Sequence, residues 1–347
     1  MNSSLLNIFM ALGVTIMVGW LLVVGASILI PIVWAIIAVY VLNRAEKSLA
    51  RLPILGSVPP WVRKLIVLAI FTVGIVSIVL MTITNVDNIA NAMPGYQANL
   101  ERLVIKFSDL VGMSGTPSWD TVYAATIGKL DFRALLLSAL GSLAGLGGLV
   151  FAVVLYAAFL MGEAAIFRKK TEIALGDEAD RSAHLFEKVN QRIGDYLAVK
   201  TLINVILATV SFLIMFAIGV DYAIFWAVLI GLLNYIPYVG SLLGVVFPVL
   251  LTLAQFGSIQ ITLITAVLLT AVQIFVGNVL EPRLIGKSVN LSGFVVLVAL
   301  VVWTTIWGLH GAILSVPLTS MLVIIMASRP ETRFIAIYLS SDGDIDA

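Results

Sequence analysis

Few residues of this 347-residue sequence are of the types that carry out covalent chemistry. Its two histidines, His184 and His310, lie far apart, and neither belongs to a His-Glu-x-x-His motif. There is no cysteine, which excludes a thiolate nucleophile, a disulfide and a cysteine metal ligand. Gly-x-Ser-x-Gly and Walker A motifs are also missing, and Gly194-Asp195 has no second aspartate of the kind an intramembrane aspartyl protease needs. The sequence therefore predicts no enzyme, no cofactor and no metal site.

The most informative polar residues interrupt a long apolar stretch at 222–256. They are Asn234, Pro237, Gly240 and Ser241. The stretch before them is about 13 residues, or roughly 20 Å as a helix, which is too short to cross a bilayer. A re-entrant hairpin fits better than two full spans. Carbonyls and helix ends freed at such a break could bind an ion or a hydroxylated solute, although a tight turn explains the same residues.

Further candidates lie in the second half of the chain. Asn278, Glu281 and Arg283 stand at the end of a span, where an ionisable group is a functional candidate by default. An interfacial Glu–Arg contact is the alternative. His310 lies between Gly308 and Gly311, and it could titrate near neutral pH or simply occupy a turn.

Asp195 and Lys200 flank the entry to the apolar run 201–220. They are candidates for gating or coupling, as charged residues at the edge of a membrane span. A lysine that extends its ammonium toward the interface beside a carboxylate is the alternative.

The elements that position these residues are predicted from composition. The chain is 61% hydrophobic and 11% charged, whereas a soluble domain has about 25% charged residues. No charge, with His310 taken as neutral, occurs in 1–43, 65–86, 134–162, 201–220, 222–280 or 288–328. About 20 apolar residues span a bilayer, and backbone in lipid must be helical. We therefore predict an all-α integral membrane protein with about eight transmembrane helices and a re-entrant hairpin.

Lys and Arg residues set the predicted topology. The loop 44–64 carries five of them against the single acid Glu46, so it should be cytoplasmic. Residues 1–86 then form the N-terminal transmembrane helices around this loop. Alternation gives an extracytoplasmic helical insert at 87–133, a span at 134–162 and a cytoplasmic amphipathic segment at 163–200. A transport core with broken helices at 201–328 and a cytoplasmic tail at 329–347 follow.

The order of motifs in the second half resembles a known family. The motifs are Gly194-Asp195-Tyr196-Leu197-x2-Lys200, Gly231-x2-Asn234-Tyr235-Ile236-Pro237-Tyr238-Val239-Gly240, Asn278-x2-Glu281-Pro282-Arg283-x2-Gly286-Lys287-Ser288 and Gly308-x2-Gly311. They resemble the AI-2E family of bacterial transporters, also called the autoinducer-2 exporter or PerM-like family. The motifs cover about 190–320, and the earlier residues match only in layout. Ser292-Gly293 stand where the family often has His-Pro, which leaves the substrate open.

The resemblance implies secondary transport in the bacterial inner membrane by a homo-oligomer such as a pentamer. Export of a small solute such as an autoinducer-2-like quorum-sensing signal is the first expectation. The alternatives are a Na⁺(Li⁺)/H⁺ antiporter and a non-transporting membrane scaffold. The expected partners are the lipid bilayer and a small molecule or monovalent cation, with no nucleic acid.

Overall fold

The computed structural model describes residues 3–53, 55–111, 132–175, 179–285 and 290–344. In these ranges the regular structure is helical throughout, as the apolar composition predicts. The first five helices are α1 (Ser3–Val24), α2 (Ala26–Leu49), α3 (Pro60–Val111), α4 (Phe132–Leu175) and α5 (Ala179–Ile218). The remaining elements are α6 (Ala223–Leu233), α7 (Val239–Phe256), α8 (Ile259–Phe275), a π-helical turn (Val276–Leu280), α9 (Glu281–Ile285), α10 (Gly293–Ala327) and α11 (Arg333–Leu339).

Six described helices are long and apolar enough to cross a membrane, judged by length and composition. They are Ala26–Leu49, Pro60–Asn85, Gln191–Ile218, Val239–Phe256, Ile259–Ile285 and Gly293–Ala327. Leu12–Val24, Gly147–Glu163 and Ala223–Leu233 are shorter apolar helices. The chain is thus a multi-pass membrane protein, while the prediction of about eight spans and a re-entrant hairpin stays a prediction.

Several helices continue well beyond the charge-free runs. α3 has 52 residues and passes through the first part of the segment 87–133 to Val111. α4 extends to Leu175, and α5 runs without a break from Ala179 through the start of the next apolar run. In the part of α5 that lies in the predicted amphipathic segment, Val189, Ile193 and Leu197 recur every four residues and are buried. Residues 112–131 of the predicted insert lie outside the described residues.

The stretch 222–256 folds as two antiparallel arms, which we call the first hairpin. Its first arm, α6, has 11 residues and is about 17 Å long, too short to span a bilayer. Its second arm, α7, has 18 residues. The turn between them contains Tyr238 with a positive φ of 59° and a ψ of −53°.

The run 288–328 also contains a reversal, inside α10, which we call the second hairpin. Trp307 and Gly308 have non-helical backbone angles. A Cβ added to Gly311 would lie 1.8 Å from the carbonyl oxygen of Trp303. Trp303 and Gly311 are eight positions apart and would be separated by about 12 Å along a straight helix, so the chain must fold back between these two residues. This 35-residue candidate span is therefore two helical arms rather than one straight crossing.

The chain divides into two compact units, each built from separate segments. Unit 1 comprises Met1–Phe71, Leu149–Val199 and Ile285–Ala347, and unit 2 comprises Thr72–Gly148 and Lys200–Leu284. Unit 1 contains the second hairpin, whose Trp307 and Leu314 are buried in one core with Ile37 and Ile193. Unit 2 contains the first hairpin.

One end of unit 2 is held by hydrogen bonds between polar side chains and loop backbone. The Tyr96 hydroxyl donates to Asp221 Oδ2 at 2.9 Å. Asn99 Nδ2 donates to the Ala254 and Gln255 carbonyls, and Gln255 Oε1 accepts from the Asp221 amide. Burial, and then the neighbouring carboxylate of Asp221, raises the pKa of Tyr96. The hydroxyl thus keeps its proton and remains a donor, so α3 is bonded to the loop before α6 and to the C-terminal end of α7.

Candidate functional site

In unit 2, α5 presents three polar side chains within one helical turn, and each has a partner on another element. Lys200 Nζ lies 2.6 Å from Glu281 Oε1. The hydroxyls of Thr201 and Tyr235 are 2.7 Å apart, and Asn234 Nδ2 donates to Asn204 Oδ1 at 2.8 Å. We call these six residues the polar cluster. It joins α5 to the turn of the first hairpin and to the start of α9.

The Lys200–Glu281 ion pair is unequally buried. The lysine side chain is 7% exposed and the glutamate side chain 29%. Removing one partner from a buried pair leaves the other charge uncompensated. An unpaired Lys200, which is buried, would therefore cost far more free energy than an unpaired Glu281, which is partly exposed. The ammonium is therefore fixed in the protein, whereas the carboxylate can reach solvent.

The backbone before Glu281 explains how this carboxylate is placed. The Glu281 amide bonds to the Val276 carbonyl, five residues back, which makes the preceding residues a π-helical turn. Pro282 follows and has no N–H to continue the ladder. Such π turns within longer helices are frequent at functional sites. The sequence alternative of a Glu281–Arg283 contact is not what the structure shows, because Glu281 pairs with Lys200 and Arg283 is exposed.

The turn of the first hairpin brings backbone into unusually close contact. A Cβ added to Gly240 would lie 1.8 Å from the Leu233 carbonyl oxygen, so no other residue fits there without a shift of the backbone. Ser241 Oγ donates to the Tyr238 carbonyl at 2.8 Å. Asn234 is buried, Pro237 is half-buried and Tyr238 is exposed.

Most of the turn does not supply the free carbonyls that its sequence suggests. Hydrogen bonds from within the turn and the first residues of α7 are accepted by the carbonyl oxygens of Leu233, Ile236, Pro237 and Tyr238. The expectation of a tip with unpaired carbonyls is wrong for these four residues. Tyr238, with φ 59° and ψ −53°, forms a γ-turn in which the Val239 amide donates to the Pro237 carbonyl. Among the side chains of the turn, that of Asn234 donates to Asn204 Oδ1.

In unit 1, indole groups hold the second hairpin. Trp34 Nε1 donates to His310 Nδ1 at 3.3 Å, and the two rings meet edge to face. Trp307 Nε1 donates to the Leu22 carbonyl and Trp303 Nε1 to Thr319 Oγ1. A His310 Nδ1 that accepts from an indole carries no proton, so this ring is neutral as placed. The role of His310 in proton transfer remains a prediction.

Comparisons with known proteins now fix the family. The family model described as AI-2E family transporter matches residues 8–330. The chain belongs to the AI-2E family of transporters. The AI-2 transport protein TqsA of Escherichia coli K12 is 26% identical over 335 residues, 95% of this chain and 96% of that protein.

Two further relatives carry only the provisional name of a transport protein. The one from Haemophilus influenzae is 26% identical over 330 residues, covering 93% of this chain and 92% of its own. The one from Borreliella burgdorferi is 31% identical over 183 residues, which is 52% of this chain and 51% of that protein. The resemblance inferred from the motifs is thus confirmed over nearly the whole chain, and the protein is a member of a transporter family.

Asp195 and Lys200 of this AI-2E family member do not pair with each other. Each residue turns an α-helix by about 100°, so positions five apart project about 140° apart. Asp195 pairs with Arg44 of α2 instead, on a solvent-accessible part of unit 1. Lys200 is buried in unit 2. The two candidates for gating or coupling thus belong to two separate ion pairs, each with a partner distant in the sequence, and their role stays a prediction.

The remaining candidates are less constrained, and three members of the polar cluster, Thr201, Asn204 and Tyr235, were not predicted as site residues. Asn278 and Arg283 are exposed, and the structure gives them no hydrogen bond or ion pair among the described residues. Asn204 and Thr201 were missed because they sit inside an apolar run with no motif around them. Their signal was available in Lys200-Thr201-x2-Asn204, which places an amide one helical turn after the lysine.

Proposed function

We propose that this chain moves a small polar solute across the bacterial inner membrane, with the polar cluster of unit 2 on the solute path. The observation that carries the proposal is the cluster itself. It collects a buried ammonium, two buried amides and two hydroxyls on apolar helices and beside a broken one. Polar groups at membrane depth are costly and are characteristic of transport paths, and interrupted helices have the same association.

The solute we propose is an autoinducer-2-like signal, and export is the proposed direction. The full-length similarity to a protein named as an AI-2 transport protein supports this choice. A small hydroxylated molecule matches the chemistry of the cluster, because amides and hydroxyls can both donate and accept hydrogen bonds. Asn234, at the turn of the first hairpin, is the residue proposed to contact the solute, with Pro237, Gly240 and Ser241 shaping the turn.

Flux into and out of proteoliposomes tests the proposal. Vesicles that contain the purified protein and are loaded with the candidate signal should release it faster than loaded vesicles without protein. Asn234→Ala should slow release well beyond any loss of incorporated protein. Thr209→Ala is a matched control on α5, because Thr209 is exposed and bonds only to its own helix at Val205. Equal rates for Asn234→Ala and the wild type would overturn the role of the turn.

Na⁺(Li⁺)/H⁺ antiport is the second candidate, and the paired carboxylate of Glu281 is the observation that favours it. A carboxylate that exchanges between a lysine and a cation could couple the two flows. Collapse of an imposed pH gradient on addition of Na⁺ or Li⁺, abolished in Glu281→Gln, would establish it. No collapse with either cation, together with flux of the organic solute, would exclude antiport. Absence of flux for every solute would favour a scaffold role instead.

A homo-oligomer is part of the proposal as well. Many large apolar side chains are exposed on the outer faces of the helices, for example Phe9, Trp20 and Phe294. In a membrane, lipid or another copy of the chain can cover such faces. The mass of the protein extracted in mild detergent, measured by light scattering or native mass spectrometry, tests assembly directly.

A further inference from the structure

The polar cluster has more hydrogen-bond donors than it uses. Lys200 carries three N–H groups and contacts one carboxylate oxygen, Glu281 Oε1. Asn204 is 4% exposed, and its Nδ2 is buried with no acceptor in hydrogen-bonding geometry, although this side chain lies beside the Tyr235 hydroxyl. The two residues are four positions apart, so they lie on one face of α5, one turn from each other. A buried donor without an acceptor is a costly arrangement that a ligand can relieve.

This donor excess selects the chemistry of the ligand. A monovalent metal cation needs oxygen acceptors around it and is repelled by an ammonium and by N–H groups. An oxyanion is matched by a positive charge together with a second N–H donor, and the polar cluster has both on one face of α5. Carboxylate and phosphate groups both have this form.

The geometry points to an oxyanion site on Lys200 and Asn204, which Glu281 occupies when no ligand is bound. We propose that a carboxylate or phosphate group of the solute displaces Glu281 from Lys200 and accepts a hydrogen bond from Asn204 Nδ2. The inference rests on the proposed solute path through unit 2 but departs from the hydroxylated solute proposed above, because it predicts that this site binds molecules that carry a carboxylate or phosphate group.

The unequal burial of the ion pair makes this exchange feasible. The buried ammonium is compensated by Glu281 before the exchange and by the solute after it, so at no stage is it left alone in an apolar environment. The released glutamate, 29% exposed even when paired, can be solvated by water. The π-helical turn before Glu281 and Pro282 after it reduce the regular helical bonding that would hold the backbone in one position. Glu281 thus acts as a movable counter-ion and Lys200 as the fixed one.

Thermal unfolding of the purified, full-length protein in a neutral detergent tests the site without depending on transport. The probes are potassium phosphate and potassium acetate, titrated against potassium chloride at constant ionic strength. Sodium chloride in place of potassium chloride tests for a cation. The wild type should be stabilised by phosphate or acetate, and Glu281→Gln should reach half of its maximal stabilisation at about tenfold lower anion concentration, because no internal carboxylate competes.

Three further variants separate the site from nonspecific charge effects. Lys200→Gln should lose the response to the anions, and Lys200→Arg should retain it. Arg102→Gln removes a positive charge from an exposed position of unit 2 and should respond as the wild type does. If Lys200→Gln does not fold, Asn204→Leu replaces it, since this variant keeps the ammonium but should raise the half-saturating anion concentration severalfold.

The source of the oxyanion is resolved by adding lipid. If phosphatidylglycerol in the micelles stabilises the wild type and removes any further effect of phosphate, while phosphatidylcholine does not, the site takes a lipid phosphate. If the response to free phosphate or acetate survives phosphatidylglycerol, the site takes a soluble anion. Both results support an oxyanion site on Lys200.

Two results would overturn it. One is an anion response that is the same in the wild type, Glu281→Gln and Lys200→Gln. The other is stabilisation by sodium that Glu281→Gln removes. Flux measured on the same variants distinguishes the two proposals. Anion binding without solute flux would support the oxyanion site and contradict the transport role. Solute flux without an anion response would support the transport role and contradict the oxyanion site.

Discussion

The two hairpins share a close backbone approach at their turns, but the side chains around the two turns are different. In each, a glycine lies so close to an earlier carbonyl that an added Cβ would come within 1.8 Å: Gly240 against Leu233, and Gly311 against Trp303. Around the first turn are amides, hydroxyls and an ion pair. Around the second are three indole donors, two of which are used on Leu22 and Thr319. The comparison suggests that the first hairpin recognises a solute and that the second is an anchored structural counterpart.

The strongest prediction therefore concerns what the hairpins share. Gly240→Ala and Gly311→Ala should each destabilise the protein by several kcal/mol, because backbone must move to admit one methyl group. Gly240→Val should abolish transport outright. The yield of monodisperse protein and its unfolding temperature are the measurements. Gly277→Ala is the control, since nothing lies within 4 Å of its added Cβ, and loss of folding in that variant would show that the helices of unit 2 tolerate no change.

The sequence could locate the two turns but could not show which residue of one turn corresponds to which residue of the other. The breaks were evident from Gly, Pro and Asn in apolar runs, and an echo was visible between Gly240-x3-Gly244-x3-Pro248 and Gly308-x2-Gly311-x5-Pro317. The structure matches Gly240 with Gly311 rather than with Gly308. Buried small residues then follow at the same spacing, Gly244 in one hairpin and Ser315 in the other. Close approach of backbones selects small residues at every fourth position, and only coordinates reveal which glycine makes the approach.

The ion pairs were beyond the reach of sequence for another reason. Lys200 and Glu281 are separated by 81 positions, and Arg44 and Asp195 are also distant, so each pairing depends on which helices pack together. Hydropathy likewise marks the apolar runs but not the ends of the helices. Apolar runs mark residues suited to lipid, whereas α3, α4 and α5 each also include polar sequence, and α3 continues through Pro94.

A second prediction compares the two ion pairs. Glu281→Gln, which strands the buried ammonium of Lys200, should destabilise the protein by about 2–4 kcal/mol at neutral pH in the absence of a bound anion. Asp195→Asn should cost under about 1 kcal/mol, because the side chains of Arg44 and Asp195 are 44% and 33% exposed. Unfolding temperatures in one detergent measure both. Equal losses would show that burial does not distinguish these pairs.

A finer test asks which partner of the buried Lys200–Glu281 pair lowers stability more when its charge is removed. Lys200→Met leaves a carboxylate that water can reach, so it should be better tolerated than Glu281→Gln. The double variant Lys200→Met/Glu281→Leu should recover most of the stability lost in Glu281→Gln, since no charge remains to be compensated. A double variant no more stable than Glu281→Gln would mean that the pair is needed for packing rather than for charge balance.

A third prediction separates flux from stability in the two hairpins. Asn234→Ala should reduce flux about tenfold or more while the protein still folds, because it removes a polar group from the proposed path and leaves the side-chain oxygen Asn204 Oδ1 unpaired. His310→Phe should act mainly on stability, with a modest loss, since it leaves the Trp34 indole without its acceptor. The ratio of initial flux to incorporated protein is measured for both. A large flux defect in a stable His310→Phe protein would assign the second hairpin a direct role.

The smallest expected effect is at Gly244, one turn into the second arm of the first hairpin. An added Cβ would lie 3.2 Å from Gln273 Nε2 and 3.5 Å from Ile230 Cγ1. The close neighbour is the end of a flexible side chain, and Gln273 Nε2 has no hydrogen-bond partner to lose. Alanine also favours a helix over glycine by about 0.5–1 kcal/mol, which offsets the displacement of Gln273. Gly244→Ala should therefore change stability by less than about 1 kcal/mol in either direction. A loss as large as that of Gly240→Ala would show that the whole small-residue stripe, and not the turn alone, requires glycine.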